Sequence, residues 1–301
     1  MTTAAAPNPS STCFTRDGRP ILIRSCRGFD ELDACVKLQM DTWGFSDGDV
    51  IPRRVFVVSQ RIGGQVIGAF DVTRAENPEG TAENLIGFAM SLPGVKPPDR
   101  SQNESQDESG DESEDEPGAP PVPYLHSHML AVAPGYRNDG IGRQLKLFQR
   151  LEALERGISL MEWTFDPLEI KNSFLNIHKL GTIIRSYTPD FYGVSSSRLQ
   201  GGLPTDRLHA EWYLRSSRVE ATLAGVPVHN FDIEATIMIP HQVAEWKSSE
   251  SGIDLARTVQ TENRLRFQAA FQRGLAVVGF HRDTHGNGIF ELAPFEHPSS
   301  I

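Results

Sequence analysis

The stretch with the clearest chemical potential in this chain is Arg137-Asn138-Asp139-Gly140-Ile141-Gly142-Arg143. Its two glycines let the backbone come close to a ligand, and the first amides of a helix starting here would point outward without intrahelical acceptors. With the positive end of the helix dipole and the charges of Arg137 and Arg143, such a row of N–H groups suits a pyrophosphate. The common nucleotide loops do not fit. Leu145 stands where the dinucleotide fingerprint G-x-G-x-x-G needs Gly or Ala, and the Gly-Lys-Ser/Thr ending of a nucleoside triphosphate loop is missing. Taken alone, R-x-x-G-x-G is equally a pair of turn glycines.

The neighbouring elements would position this loop. Residues 125–132 are apolar and small over a length that suits a strand, and Ala133-Pro134-Gly135 ends it by removing a backbone donor and permitting a turn. From about 139 to 156, Ile141, Leu145 and Phe148 form one apolar stripe that Leu147, Leu151 and Leu154 widen, which predicts a helix packed on a sheet. Gly157 ends that helix. Residues 160–165 then follow as a strand parallel to the first, a βαβ unit whose ligand belongs at the carboxyl ends of its strands.

These residues resemble the acetyl-CoA signature of the GCN5-related N-acetyltransferase (GNAT) superfamily, Q/R-x-x-G-x-G/A between a fourth strand and a third helix, with Arg137, Gly140 and Gly142 at the signature positions. LMEWTFDP (160–167) is similar to the family's fifth strand and EIKNSFLNIHKLG (169–181) to its fourth helix. The resemblance covers residues 20–215. Within the superfamily, WTFDPLEIKNSFLNIHKLG and the later YTPDFYG (187–193) are similar to a branch of acetyltransferases with a C-terminal extension. The resemblance implies an α/β (α+β) acyl-CoA acyltransferase fold, a mixed and mostly antiparallel central sheet flanked by helices. It implies acetyl-CoA as co-substrate and transfer of its acetyl group to the amine of a small-molecule or peptide acceptor, by direct attack in a ternary complex. Acetyl-CoA would be held by Leu130 and Val132 on the fourth strand, by Arg137, Asn138, Asp139, Gly140, Ile141, Gly142 and Arg143, and by Asn172 and Asn176 on the fourth helix. A homodimer is the superfamily's habit. The alternative is a catalytically silent CoA-binding or scaffold protein of the same fold, and a longer acyl chain is a third reading.

Direct attack requires a base. His126 and His128 share one face of the first strand, and Glu162 and Asp166 one face of the next. Glu162 and His128 lead, because both should lie near the point where the resemblance implies that the strands splay; a water relay is the rival. Each also has a structural reading: polar face residues for the histidines, an ion-pair partner for Glu162, a helix cap for Asp166. Counted back from Gly181, the family's tyrosine position holds Ile177 with His178 beside it, which leaves Tyr187 and Tyr192 as substitutes for the acid.

The net charge of −10 is local: from Asp99 to Glu116 nine acidic residues face one base, Arg100, and the rest of the chain is nearly neutral. With its prolines at either end, 97–121 reads as a disordered acidic insertion between two strands. Basic residues do not cluster with aromatics, which speaks against nucleic acid. No apolar run approaches the roughly 20 residues that span a bilayer, and MTTAAAPNPSST lacks the features of a signal peptide, so a cytoplasmic protein without membrane partners is expected. Cys13, Cys26 and Cys35 lack C-x-x-C spacing, and no motif with metal-ligand spacing is present; plain thiols and no metal are expected.

The remaining elements are read by period. Residues 1–19 are a disordered tail. A strand at 21–23 and a helix from 29 to 43 open the fold, with Asp30 able to cap. Residues 55–60 and 65–72 form a hairpin around Arg61-Ile62-Gly63-Gly64, 85–92 another strand, and 209–214 the last core strand. The segment 216–301 is an extension packed on the core, with a helix at 254–273 and a hairpin over 275–292 around Gly286-Asn287-Gly288.

Overall fold

The computed structural model describes residues 10–46, 48–74, 79–97, 121–227 and 231–295. Eleven strands form one sheet: β1 (Ser10–Phe14), β2 (Pro20–Ser25), β3 (Gln65–Asp71), β4 (Leu85–Lys96), β5 (Val122–Val132), β6 (Leu160–Phe165), β7 (Ile183–Thr188), β8 (Arg207–Tyr213), β9 (Ala235–Ile239), β10 (Leu275–Arg282) and β11 (Gly288–Pro294). Their spatial order is β1-β2-β3-β4-β5-β6-β8-β7-β10-β11-β9. Every pairing is antiparallel except β5 with β6. The fold class is therefore mixed α/β with a mostly antiparallel sheet, and its C-terminal strands lengthen that sheet.

Helices cover both faces. α1 (Gly28–Trp43) and α2 (Arg53–Arg61) lie on one side, where Leu32, Cys35 and Phe56 pack on Val66, Phe88 and Met90. α3 (Ile141–Glu155) lies on the other, with Ile141, Leu145 and Phe148 against Ile67, Ala69 and Ala89. This double cover explains why all seven residues of β3 are buried. On the α3 side the core continues through α4 (Ile170–Ser173), which passes into one π-helical stretch (Phe174–Lys179), α5 (Ser217–Ala224), α6 (Val243–Lys247) and α7 (Ile253–Gln272).

Several expectations need correction. Residues 10–14 are not part of a disordered tail: they form β1, paired with β2 from Ser10↔Arg24 to Phe14↔Pro20, and backbone pairing supplies what their polar side chains cannot. The 55–60 run is helical, not a strand. Val57 and Val58 are exposed while Phe56 and Ser59, one turn apart, are buried, and Gln39 clamps the entrance by bonding both N–H and C=O of Ile51. Tertiary contact has overridden β-propensity there. Asp30 lies inside α1; the helix start is held by the Glu31 carboxylate, which accepts from Arg27 N at 2.7 Å and from buried Arg24. β7 was not foreseen. The acidic insertion expected at 97–121 lies outside the described residues except for its first and last positions.

Candidate active site

The βαβ unit positions the site. β5 and β6 pair at only three rungs, Tyr124↔Leu160, Leu125↔Met161 and His126↔Glu162, and then separate. From Ser127 onward β5 has a strand partner on the β4 side alone, so an unpaired backbone edge faces the gap. A bulge accompanies the separation. Met90 pairs with Met129 and the next residue, Ser91, with Ser127, leaving His128 as the extra residue of β5. The bulge reverses the strand's facing: Leu125 and Ser127 lie on the α3 side before it, Met129 and Ala131 pack with the α1 cluster after it, and Leu130 and Val132 turn towards α3.

The gap holds a cleft of about 460 Å³. Ser127, Lys146 and Trp163 line it from the α3 side, and His128, Thr164 and Tyr192 from the other. The cleft thus runs through the sheet between the two strands. At one end Leu130, Asn172, Leu175 and Asn176 face it, and at the other Trp43, Phe45 and Ile51 from the exit of α1 meet Tyr192, Val194 and Leu199 from the β7–β8 loop. These two loops are bonded together: Ser196 N and Oγ both donate to Asp49 at 2.6 Å, Ser46 N donates to Ser196 Oγ at 2.9 Å, and Arg198 N to Trp43 O at 2.9 Å.

The glycine-rich loop stands at the start of α3. Asn138 and Gly140 have φ of 72° and 81°, a left-handed pair that turns the chain into the helix. A Cβ on Gly140 would meet no heavy atom within 4 Å, so the space outside this turn is open. A Cβ on Gly142 would lie 3.4 Å from Leu130 and 3.9 Å from Leu175, which places the helix start against the cleft wall. Arg137 and Asn138 are exposed, and Arg137 Nε donates to Val132 O at 3.3 Å. The side chain of Ile141 is core, leaving only its amide for a ligand. Val132 is half-buried in the α3 cluster and does not line the cleft. The π-helical stretch widens the turn after Asn172, and Asn176 reaches the cleft while buried.

The proton-transfer candidates separate. His128 lines the cleft, and burial holds its pKa below the ordinary value. His126, 6.0 Å away between ring centroids, is held down to about 4, by burial above all. Glu162 sits on the last paired rung outside the cleft lining, ion-paired to Lys96; burial raises its pKa and Lys96 opposes this. Asp166 accepts from Leu168 N at 2.8 Å in the turn ahead of α4, whose N-cap is Glu169, and is paired with buried Lys247. Ile177 is core, Tyr187 donates to Asp206 away from the cleft, and Tyr192 is in the cleft with its hydroxyl 3.0 Å from Thr164 Oγ1.

Lys146, in the cleft floor, escaped the sequence reading. It is 3% exposed, with Nζ 2.8 Å from Ser127 Oγ and 3.4 Å from the centre of the Trp163 ring. Its signal was present: Lys146, Gln149 and Ala153 fall on one helix face, a polar interruption of a buried stripe. Among the described residues no group of three His, Cys, Asp or Glu is placed to hold a metal, and no helix is long and apolar enough to cross a membrane.

Similar solved structures include Arabidopsis thaliana NAA60 in complex with acetyl-CoA, 14% identical over 64% of this chain and 99% of that one with a TM-score of 0.47. The ribosomal-protein-S18-alanine N-acetyltransferase from Escherichia coli is 14% identical over 65% and 96% of the two chains, with a TM-score of 0.43. An N-acetyltransferase from Staphylococcus aureus is 14% identical over 65% and 99%, with a TM-score of 0.41. No family model and no curated protein matches the chain.

Proposed function

We propose that this chain is an acyl-CoA-dependent N-acetyltransferase that carries the acetyl group of acetyl-CoA to the amine of an acceptor by direct attack. The observation that carries the reading is the bare inner edge of β5 beside the start of α3: a strand that loses its partner within a sheet, over a cleft that passes between the strands. Such an edge offers backbone groups to the amides of a pantetheine arm, and the outward amides of residues 140–143 offer donors to a pyrophosphate. Leu130, Asn172 and Asn176 would flank the arm, and Arg137 and Arg143 would add charge at the phosphate end.

Acetyl-CoA would supply a thioester, whose carbonyl carbon bonds to the acceptor nitrogen as the carbon–sulfur bond breaks. Of the two leading proton acceptors, His128 is better placed, because its ring lines the cleft and is neutral at neutral pH, whereas Glu162 lies outside the lining, paired with Lys96. Tyr192 is the cleft phenol that could return a proton to the thiolate. Trp43 and Phe45, stacked with ring centroids 5.3 Å apart, would give the acceptor end an aromatic wall.

Calorimetric titration with acetyl-CoA, on the full chain and a Gly142→Glu variant, tests this. A Cβ on Gly142 would already touch Leu130 at 3.4 Å, and a glutamate there would set a charge against the phosphates. The expected result is micromolar binding to the wild type and at least about tenfold loss in the variant, about 1.4 kcal/mol. Turnover over an amine panel then separates an enzyme from a silent CoA-binding protein. A folded wild type that does not bind would overturn the reading.

A further inference from the structure

Lys146 is a cleft group that the proposed chemistry leaves unused. Among the described residues no carboxylate lies within ion-pair distance of its Nζ, so it stands buried with a hydroxyl and an indole face as its named contacts. Burial of an unpaired ammonium is costly, and the amine is expected to lose its proton instead. The facing titratable groups do not reverse this. His126 and His128 on β5 are themselves held neutral, and Asp166 and Glu169 beyond β6 are both bonded to Lys247.

Gln149, on the same face of α3, is fully buried, and Ser127 Oγ donates to its Oε1 at 3.0 Å while accepting from Lys146 Nζ at 2.8 Å. Among the described residues the amine is thus held by a neutral hydroxyl and by no anion.

We propose that Lys146 is a self-acetylation site: its amine, in the floor of the cleft between the splayed strands, takes the acetyl group of acetyl-CoA bound there. This rests on the reading that the cleft binds acetyl-CoA. Nζ attacks the thioester carbonyl carbon, the new carbon–nitrogen bond replaces the carbon–sulfur bond, and one amine proton passes through Ser127 Oγ to the departing thiolate. The products are N-acetyl-Lys146 and free CoA. The acetamide stays in the cleft, so the modification limits itself to one per chain.

The test incubates the full chain with acetyl-CoA between pH 7 and pH 9, reads intact mass and maps acetylated peptides, with calorimetry on the same preparation. An ordinary lysine is neutral in about one molecule in 2,500 at pH 7, so modification of a short lysine peptide incubated separately with acetyl-CoA should rise about tenfold per pH unit. Acetylation of Lys146 should be saturable in acetyl-CoA, faster than that of the control peptide at pH 7, and less steeply dependent on pH. Binding with Lys146 unmodified, or modified with the pH dependence of the control peptide, overturns the inference and leaves the functional reading standing. Absence of binding overturns both. Mapping of the wild type needs no variant to fold.

Discussion

Lys247→Met removes a buried charge whose two partners face the cleft. The Lys247 side chain is 4% exposed, and its Nζ donates to Asp166 Oδ2 at 2.7 Å and to Glu169 Oε1 at 3.0 Å. Methionine keeps most of the methylene volume and leaves the Asp166 carboxylate, 10% exposed, without its cation. Breaking a buried pair by removing one partner costs about 3–5 kcal/mol. Asp166 keeps its bond from Leu168 N, and Glu169 is 32% exposed and can turn to water, so the lower end, about 3 kcal/mol, is expected. At about 2–4 °C per kcal/mol, the melting temperature should fall by about 6–12 °C. Urea unfolding at pH 7.5 and a thermal scan measure this. Lys247→Met combined with Asp166→Asn should recover about 2 kcal/mol, because the second change discharges the stranded carboxylate. Burial alone would lower the Lys247 pKa, but Asp166 and Glu169 outweigh it and hold the ammonium above its usual 10.5. A raised folded pKa means that the contribution is complete below about pH 10.5 and is lost as the pH climbs beyond it; the difference between wild type and variant should be constant from pH 6 to pH 9. A cost under about 1 kcal/mol, or a double variant as unstable as the sum of its parts, would refute the argument.

Gly140→Ala should cost about 1 kcal/mol in urea unfolding, since φ of 81° opposes any Cβ although no neighbour does. His126 is held at about 4, below the ordinary 6.5, so its neutral form favours the fold above pH 6.5 and that advantage, about 3 kcal/mol, is lost as the pH falls from 6.5 towards 4; a His126→Gln variant should show a correspondingly shallower acid limb. Truncation after Arg215 removes β9, β10 and β11 and uncovers Ile184 and Leu208, so the fragment should lack a cooperative thermal transition by near-UV circular dichroism.

The legible parts of this chain were those whose signal is local. The strand, turn and helix around Arg137–Arg143 could be read because apolar period and glycine position act within 30 residues, and the hairpin around Gly286-Asn287-Gly288 because turn chemistry does. β1 was not legible: Ser10, Ser11 and Thr12 carry no apolar pattern, and only pairing with β2 makes them a strand. α2 was misread because Val55, Val57 and Val58 weigh towards β structure, while the deciding contacts, Phe56 on Phe88 and Ser59 on Ser91 O, come from a strand 30 residues away. The histidine pair at 126 and 128 could be read as neighbours on one strand, and their rings lie 6.0 Å apart, but the bulge at His128 is a property of pairing with β4 that no single-strand pattern reveals.

The end of the cleft beside Trp43 and Tyr192, where the proposed function places the acceptor, depends on residues that lie far along the chain. The β7–β8 loop reaches Trp43 and Asp49 on one side, and on the other it is held by the C-terminal elements. Pro204 O accepts from Gln200 Nε2 at 2.7 Å and from Gln260 Nε2, on α7, at 2.9 Å. Asp206, fully buried where β8 begins, accepts two bonds of 2.9 Å from Arg264 of the same helix. Gly201 packs so closely on α6 that a Cβ would come within 2.3 Å of Lys247 O. A loop clamped at both ends cannot adjust its cleft side independently. The placement of Tyr192, Val194 and Leu199 is therefore set as much by α6 and α7 as by the strands that flank the loop. Acceptor specificity would accordingly be encoded partly in residues that touch no substrate, through the same contacts by which Lys247 braces the end of β6.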